Sequence, residues 1–409
     1  MKNKKSGSIK KNLPFSMGEI VPLFIDSVAT GGAGVGRYEG FVVFTPFTCP
    51  GDNALVRIVR IKKNFAQAEL VSIKKPADTR ISPKCVVFQK CGGCTWQHIS
   101  YKEQLLQKQQ ILESALKKKI PLPLEVIKNI VPSPKQWNYR NRVQLKVDQK
   151  GNYGFYEKKS QSLVKIKDCP IADTALFREI DKFILSLTGK ALLNSKASAT
   201  RKKQQHQKVE VYLSEDNKVQ YQVDSVQLQK SKNTFAQVNQ GVNQILICNV
   251  LKHLKTHIMP NQTVYDLYCG HGNFTFPISK TLQPKEIIGV ELSLSAIQRA
   301  KKEALDNKHD RVKFIAQDVQ QFLQECTKLN GPVLLDPPRI GCDQGVLHSL
   351  RELKPSVIFY ISCNPQTLAR DLEIINGTDA LYKTILVQAY DMFPQTDHVE
   401  SLVILKLQN

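Results

Sequence analysis

Beyond residue 234 the chain alternates short apolar runs with stretches of helical period, and that rhythm limits its fold more than any other feature. The runs 263–267, 287–292, 312–316, 332–335 and 357–361 are rich in Val, Ile and Leu. Strands apolar on both faces need cover on both sides, which predicts a parallel sheet with crossover helices on each face. Two last runs, 384–389 and 402–407, lie close enough to end that sheet as a hairpin. In open α/β sheets ligands bind in the crevice outside the carboxyl ends of the strands, so the residues there come first.

The first strand runs into Asp266-Leu-Tyr-Cys-Gly-His-Gly-Asn-Phe274 and then a helix. Gly270 and Gly272 allow a tight turn and close approach to a ligand, and helix-terminal amides would face it. Dinucleotide folds share such loops, so the loop alone is weak. Glu291 ends the second strand, where an acid can hold two ribose hydroxyls. Asp318 ends the third and can bond an adenine amine, and Asp336 ends the fourth within Asp336-Pro-Pro-Arg339. Four such residues on one sheet edge point to a nucleoside cofactor. Cys363, in Ser362-Cys363-Asn364-Pro365, ends the fifth strand, and a thiolate there is a soft nucleophile. Glu400 enters the last run, where a carboxylate can serve as a base, although by position alone it reads as a surface charge.

The N-terminal third is built differently. Runs 20–25, 41–44, 54–61 and 66–73, separated by glycines and Pro50-Gly51-Asp52, predict a small five-stranded barrel of the oligonucleotide-binding kind. Arg57, Arg60, Lys62 and Lys63 would lie on it. The whole chain has 58 Lys plus Arg against 36 Asp plus Glu, a net +22, which attracts a polyanion such as a nucleic-acid backbone. The lysine-rich residues 1–11 have no apolar run behind them and no later stretch is of membrane-spanning length, so neither a signal nor an anchor is expected.

Between these regions, Cys85-x5-Cys91-x2-Cys94 and a distant Cys169 have the spacing of a four-thiolate site, open on spacing alone to zinc or an iron–sulfur cluster. Cys49, Cys248, Cys269, Cys326 and Cys342 read as packing residues. A helix is expected over 101–118, with Ser100 and Glu103 at capping-box spacing. Hairpin-like segments fill 125–230, including 142–147 and a turn at Gly151-Asn152, split by a flexible polar excursion over 190–208.

At this point the chain resembles the RNA uracil-C5 methyltransferases. Phe235-Ala-Gln237-Val-Asn239, the 266–274 loop, Asp336-Pro-Pro-Arg339, Ser362-Cys363-Asn364-Pro365 and His398-Val399-Glu400 are similar to that family's motifs in its order. The resemblance covers nearly the whole chain. It implies a Rossmann-like class I methyltransferase domain over 234–409, after a basic tail (1–15), an OB-like TRAM barrel (16–75) and a central α+β domain with the four-cysteine cluster (76–233). The 100–118 helix is expected to pack on the catalytic domain. It further implies S-adenosylmethionine as cofactor, held by Gln237, Tyr268, Asn273, Glu291, Asp318 and Asp336. Cys363 is implied as the nucleophile that adds to carbon 6 of uracil and Glu400 as the base. Because Cys169-Pro170 matches the rRNA-modifying members, the resemblance favours a [4Fe–4S] cluster on Cys85, Cys91, Cys94 and Cys169. The implied substrate is 23S rRNA, with tRNA as the enzymatic alternative and an RNA-binding assembly factor as the non-enzymatic one. A cytoplasmic location is expected, with no membrane and no obligate protein partner. Arg339 after Pro338 argues against an adenine N6-methyltransferase, which presents a proline–aromatic motif there.

Overall fold

The computed structural model describes residues 13–178, 180–185, 206–213, 218–223 and 237–408. The tail before residue 13, most of the polar excursion, and Phe235 and Ala236 lie outside the described residues. The first five strands are β1 (Ile20–Val28), β2 (Ala33–Tyr38), β3 (Phe41–Pro46), β4 (Asn53–Ile61) and β5 (Phe65–Lys75). They close into a barrel in the order β1-β2-β3-β5-β4. Alternation fixes the faces: Val21, Leu23 and Ile25 are buried with Val43, Val56, Ile58, Ala66 and Ala68, while Ile20 and Phe24 point outward. Arg57, Arg60, Lys62 and Lys63 are all exposed on this barrel.

Helix α1 (Tyr101–Lys117) follows the cysteine-rich segment. Its expected capping box does not form: the Ser100 side chain makes no cap bond, and its amide donates instead to Thr79 O at 2.7 Å. Glu103 accepts from Gln107 Nε2, one turn along. The amide that Glu103 was to cap already has a tertiary partner, which leaves the reciprocal pair without a purpose.

Strand β6 (Ile127–Val131) leads to β7 (Arg142–Val147), β8 (Tyr153–Tyr156), β9 (Leu163–Lys165), β10 (Gln207–Leu213) and β11 (Val219–Val223). The last five form an antiparallel sheet in the order β11-β10-β7-β8-β9. It covers a small core that includes Val143, Leu145, Leu176, Ile180, Val209 and Val211.

The C-terminal strands are β12 (Thr263–Leu267), β13 (Glu286–Glu291), β14 (Val312–Ala316), β15 (Val333–Leu335), β16 (Val357–Ser362), β17 (Tyr382–Tyr390) and β18 (Glu400–Leu407). With β6 they make one eight-stranded sheet, β14-β13-β12-β15-β16-β18-β17-β6. The first five are parallel, and the β17–β18 hairpin inserts β18 antiparallel against β16. The helices are α2 (Gln240–His257), α3 (Thr275–Leu282), α4 (Leu294–Asp306), α5 (Val319–Glu325), α6 (Gln344–Leu353) and α7 (Pro365–Asn376). Ile358 and Tyr360 of β16 meet α1, α5, α6 and α7 on one face, and Phe359 and Ile361 meet α2 and α3 on the other. The expected two-sided cover is therefore present, and α1 is part of it. The parallel pairing of β6 with β17 at the sheet edge was not anticipated. Among the expected packing cysteines, Cys248 is instead exposed on α2. No described helix is long and apolar enough to cross a membrane.

Candidate active site

The strand ends of the parallel half bring most of the candidate residues to one edge. Asp266 lies within β12, wholly buried, with Oδ2 accepting from Thr275 Oγ1 at 2.5 Å and Oδ1 without a partner among the described residues. Burial raises its carboxyl to about 7. Tyr268 then takes a left-handed φ of 65°, a costly state for a non-glycine residue, and Gly272 follows at 100°. Burial also pushes the Tyr268 phenol up, and its hydroxyl meets Cys342. Asn273 is engaged side chain to side chain with Asn243 of α2, at 2.9 and 3.2 Å. Asn243 carried no sequence signal of its own, because only the fold brings α2 beside the loop.

Glu291 is the last residue of β13. Its Oε1 accepts from Ser293 N at 2.8 Å and its Oε2 from Gly270 N at 3.3 Å, so it ties the second strand end to the glycine loop. Asp318 caps α5, with Oδ1 accepting from Gln320 N and Gln321 N. A helix cap and a ligand contact are compatible there, since the cap uses one oxygen. Gln237 stands just before α2, half-buried, and its carbonyl accepts from Asn141 Nδ2.

Asp336 follows β15. Its carboxyl is pushed up to about 7, by burial and then by Asp266. The next residues form a turn in which Gly341 N donates to Pro338 O at 2.8 Å. Asn364 Nδ2 and Thr367 Oγ1 both donate to Arg339 O, locking that turn to the end of β16. Cys363 sits at the same end. In the β16–β18 register Ser362 pairs with Ser401, so Cys363 and Glu400 leave the ladder next to each other on neighbouring strands. Glu400 is only 3% exposed, which overturns its reading as a surface charge. Burial, and then Asp336, raises its carboxyl well above the usual range. The Cys363 thiol is pushed up to about 12 by burial, then by Glu400, with Arg339 pulling down and Asp336 adding to the rise. The expected thiolate is therefore a thiol at rest near neutral pH: it is half-buried and faces two acidic groups.

In the central region, Cys85, Cys91, Cys94 and Cys169 line a single cavity of about 410 Å³ with Gly92, Gly93 and Arg140. Gly93 N donates to Cys91 Sγ at 3.4 Å. Burial raises Cys94 to about 12 and Cys169 to about 11, Gln97 opposing the rise at Cys94, and the neighbouring thiols add to both. Among the described residues no group of three or more His, Cys, Asp or Glu side chains is gathered as a metal-ion site.

A glycine loop and acids at successive strand ends, with Cys363 on the same edge of a doubly covered sheet, make the nucleoside-cofactor crevice of a class I methyltransferase fold, and the family matches below make the chain an S-adenosylmethionine-dependent methyltransferase. The tRNA (Uracil-5-)-methyltransferase family model matches residues 196–408, and a TRAM domain model matches residues 14–71. An RNA methyltransferase of Bdellovibrio bacteriovorus is 36% identical over 400 residues, covering 96% of each chain. The 23S rRNA (uracil(1939)-C(5))-methyltransferase RlmD of Photorhabdus laumondii is 31% identical over 435 residues, covering 94% of this chain and 96% of its own. The crystal structure of Pyrococcus abyssi tRNA (uracil-54, C5)-methyltransferase with S-adenosyl-L-homocysteine superposes with a TM-score of 0.68 at 23% identity, over 94% of this chain and 100% of that one. The chain belongs to the RNA uracil-C5 methyltransferase family and carries a TRAM barrel at its N-terminal side.

Proposed function

We propose that this enzyme methylates carbon 5 of a uridine in 23S rRNA through a covalent bond between Cys363 and carbon 6, in the cytoplasm. The reading rests chiefly on one observation, the adjacency of Cys363 and Glu400 on paired strands beside Asp336. The relative that carries a 23S rRNA name supports the target. The barrel over 16–75 serves as the RNA platform, the 234–409 region as the catalytic domain, and 76–233 joins them.

The residues present fit S-adenosylmethionine. The loop at Tyr268–Gly272 opens beside Glu291 and Asn273, and Asp318 keeps one carboxylate oxygen outside its cap. When bound, the cofactor supplies an electrophilic methyl group on a sulfonium. Gln237, Tyr268, Asn273, Glu291, Asp318 and Asp336 would hold it. Cys363 gives up its proton as sulfur bonds to carbon 6, which turns the ring into an enolate with a nucleophilic carbon 5. Asp336, whose carboxyl burial raises toward neutral, accepts that proton. Burial leaves Glu400 protonated at rest, so it must first release that proton to solvent, and once carbon 5 carries the methyl group the ionised carboxylate would take the carbon-5 proton. Its buried position gives it the high proton affinity this step needs, and elimination frees Cys363. The target base must leave its stack to reach this edge.

Cys85, Cys91, Cys94 and Cys169 hold a [4Fe–4S] cluster in this reading. Four thiols lining one cavity with Gly92 and Gly93 are the donor set that a thiolate-bound cluster takes. Anaerobically purified protein should be brown and contain iron, and stoichiometric zinc without iron would rule the cluster out.

Purified enzyme should methylate 23S rRNA transcript at one uridine or more and leave tRNA transcripts unmodified. Methylation of tRNA alone would move the target to tRNA and keep the chemistry. Binding of RNA with no affinity for the cofactor would instead make the protein an assembly factor.

A further inference from the structure

Much of what holds the segment that delivers Glu400 to the site comes from outside its own sheet. Residues 391–399 connect β17 to β18, and Asp391, Gln395, Thr396 and Asp397 are all buried. Gln395 and Gln104 of α1 exchange two bonds, Gln395 N to Gln104 Oε1 at 2.9 Å and Gln104 Nε2 to Gln395 Oε1 at 3.0 Å. Thr95 N and Trp96 N, from the cysteine-rich segment, both donate to Gln395 O.

Asp397, three residues before Glu400, is the point where the parts of the molecule meet. Its Oδ1 accepts from Thr95 Oγ1 at 3.0 Å, and its own amide donates back to that hydroxyl at 3.0 Å. Its Oδ2 accepts from Gly31 N, in the β1–β2 loop of the barrel, at 2.8 Å. Trp96 Nε1 donates to Gly32 O at 3.2 Å and closes the junction. Gly32 has φ +82°, and a Cβ there would lie 2.8 Å from Thr95 Cβ and 3.2 Å from Asp397 Oδ1. No bulkier residue fits without opening the clasp. Thr95 is also the immediate neighbour of Cys94.

We infer that Asp397 is a positioning residue: through Thr95 and the Gly31–Gly32 loop it fixes the entry of β18, and so makes the placement of Glu400 depend on the docked barrel and on the Cys94 segment. Both oxygens of Asp397 accept from donors, so an amide in its place would turn one donor against another. A base displaced by a fraction of an ångström fails at proton removal while the thiol, just past the end of β16, still adds. The inference rests on Glu400 being the base.

The experiment uses the full-length, anaerobically purified enzyme with 23S rRNA transcript. It compares Thr95→Val, Thr95→Ser and Gly32→Ala with Glu400→Gln, reading turnover and the covalent protein–RNA species on denaturing gels. Thr95→Val and Gly32→Ala should lose turnover by ~10–100-fold, the scale expected for a misplaced catalytic group. Both should accumulate methylated adduct as Glu400→Gln does, with iron content and cofactor affinity unchanged, and Thr95→Ser should restore turnover. Normal turnover in Thr95→Val overturns the inference, because the clasp then positions nothing. Loss of adduct together with turnover also overturns it, because the clasp then holds the fold rather than the base. If Glu400→Gln itself builds no adduct, the inference falls with the assignment of the base, an outcome distinct from the other two.

Discussion

At the scale of single residues the active edge is a set of acids whose charge is suppressed first by burial and then by one another. Asp336 is the clearest case, because its carboxyl rises from an ordinary 3.8 to about 7, mainly by burial. For a carboxyl raised on folding, the stability is whole below the ordinary value and is lost as pH rises toward the folded one. Asp336→Asn removes that loss. Its gain in Tm should grow between about pH 4 and 7, level off above, and reach ~2–4 °C. The same substitution should abolish turnover, and wild-type kcat/KM should climb with an acid limb near pH 7. A kcat/KM flat from about pH 6 to 8 would take Asp336 out of the role of proton acceptor. The place of Cys363 at a strand end on this edge was legible from Ser362-Cys363-Asn364-Pro365. The burial of Glu400 was not, because depth at a strand start depends on β16 and β17 lying on either side of it. Nor was the Oδ1 of Asp266, unpartnered among the described residues, or the role of Asn243, both of which need neighbours distant in sequence.

At the scale of elements, helix α1 is locked to the catalytic sheet by an ion pair with no exposure at either end. Lys108 Nζ lies 2.5 Å from Asp391 Oδ1 and donates also to Phe393 O at 2.9 Å. Removing one member strands the other charge in the interior. Lys108→Met should therefore cost ~3–5 kcal/mol, whereas Lys108→Met with Asp391→Leu should recover most of it, since apolar replacements of buried pairs are often neutral. Denaturant melts of both variants measure this, and equal losses would show that helix packing, not the charges, is at stake. The helix itself, the barrel and the parallel sheet were readable because periods of 2 and 3.6 survive in their apolar residues. Strand β2 was not, since Gly34 and Gly36 interrupt its apolar face. A Cβ at either would overlap Thr48 Oγ1 or Phe24 O, so close packing rather than hydropathy selects these residues. Strand β6 was also missed: nothing local tells a five-residue run that its partner is β17, more than two hundred residues away.

At the scale of the whole molecule the +22 charge sets how the enzyme meets RNA, and the docking of the barrel decides how that can be tested. Cutting away residues 1–75 would remove phosphate contacts, but it would also take Gly31 from Asp397 and uncover Trp96, so affinity and rate would fall together for different reasons. Surface charge separates them. Arg57, Arg60, Lys62 and Lys63 are exposed, and the bond from Arg57 to Gly18 O stays within the barrel. Replacing all four by Ala leaves the clasp intact. Each phosphate contact to a single strand contributes about 0.7 to the slope of log affinity against log salt, so removing four of them should flatten that slope by ~3. Affinity should drop most at low salt and converge with wild type as salt rises, while kcat at saturating RNA stays within about twofold, because these charges steer and hold RNA without touching the reacting atoms. An unchanged slope would place the RNA backbone on another face. A lowered kcat with an unchanged slope would mean that the barrel acts on the site through its docking alone.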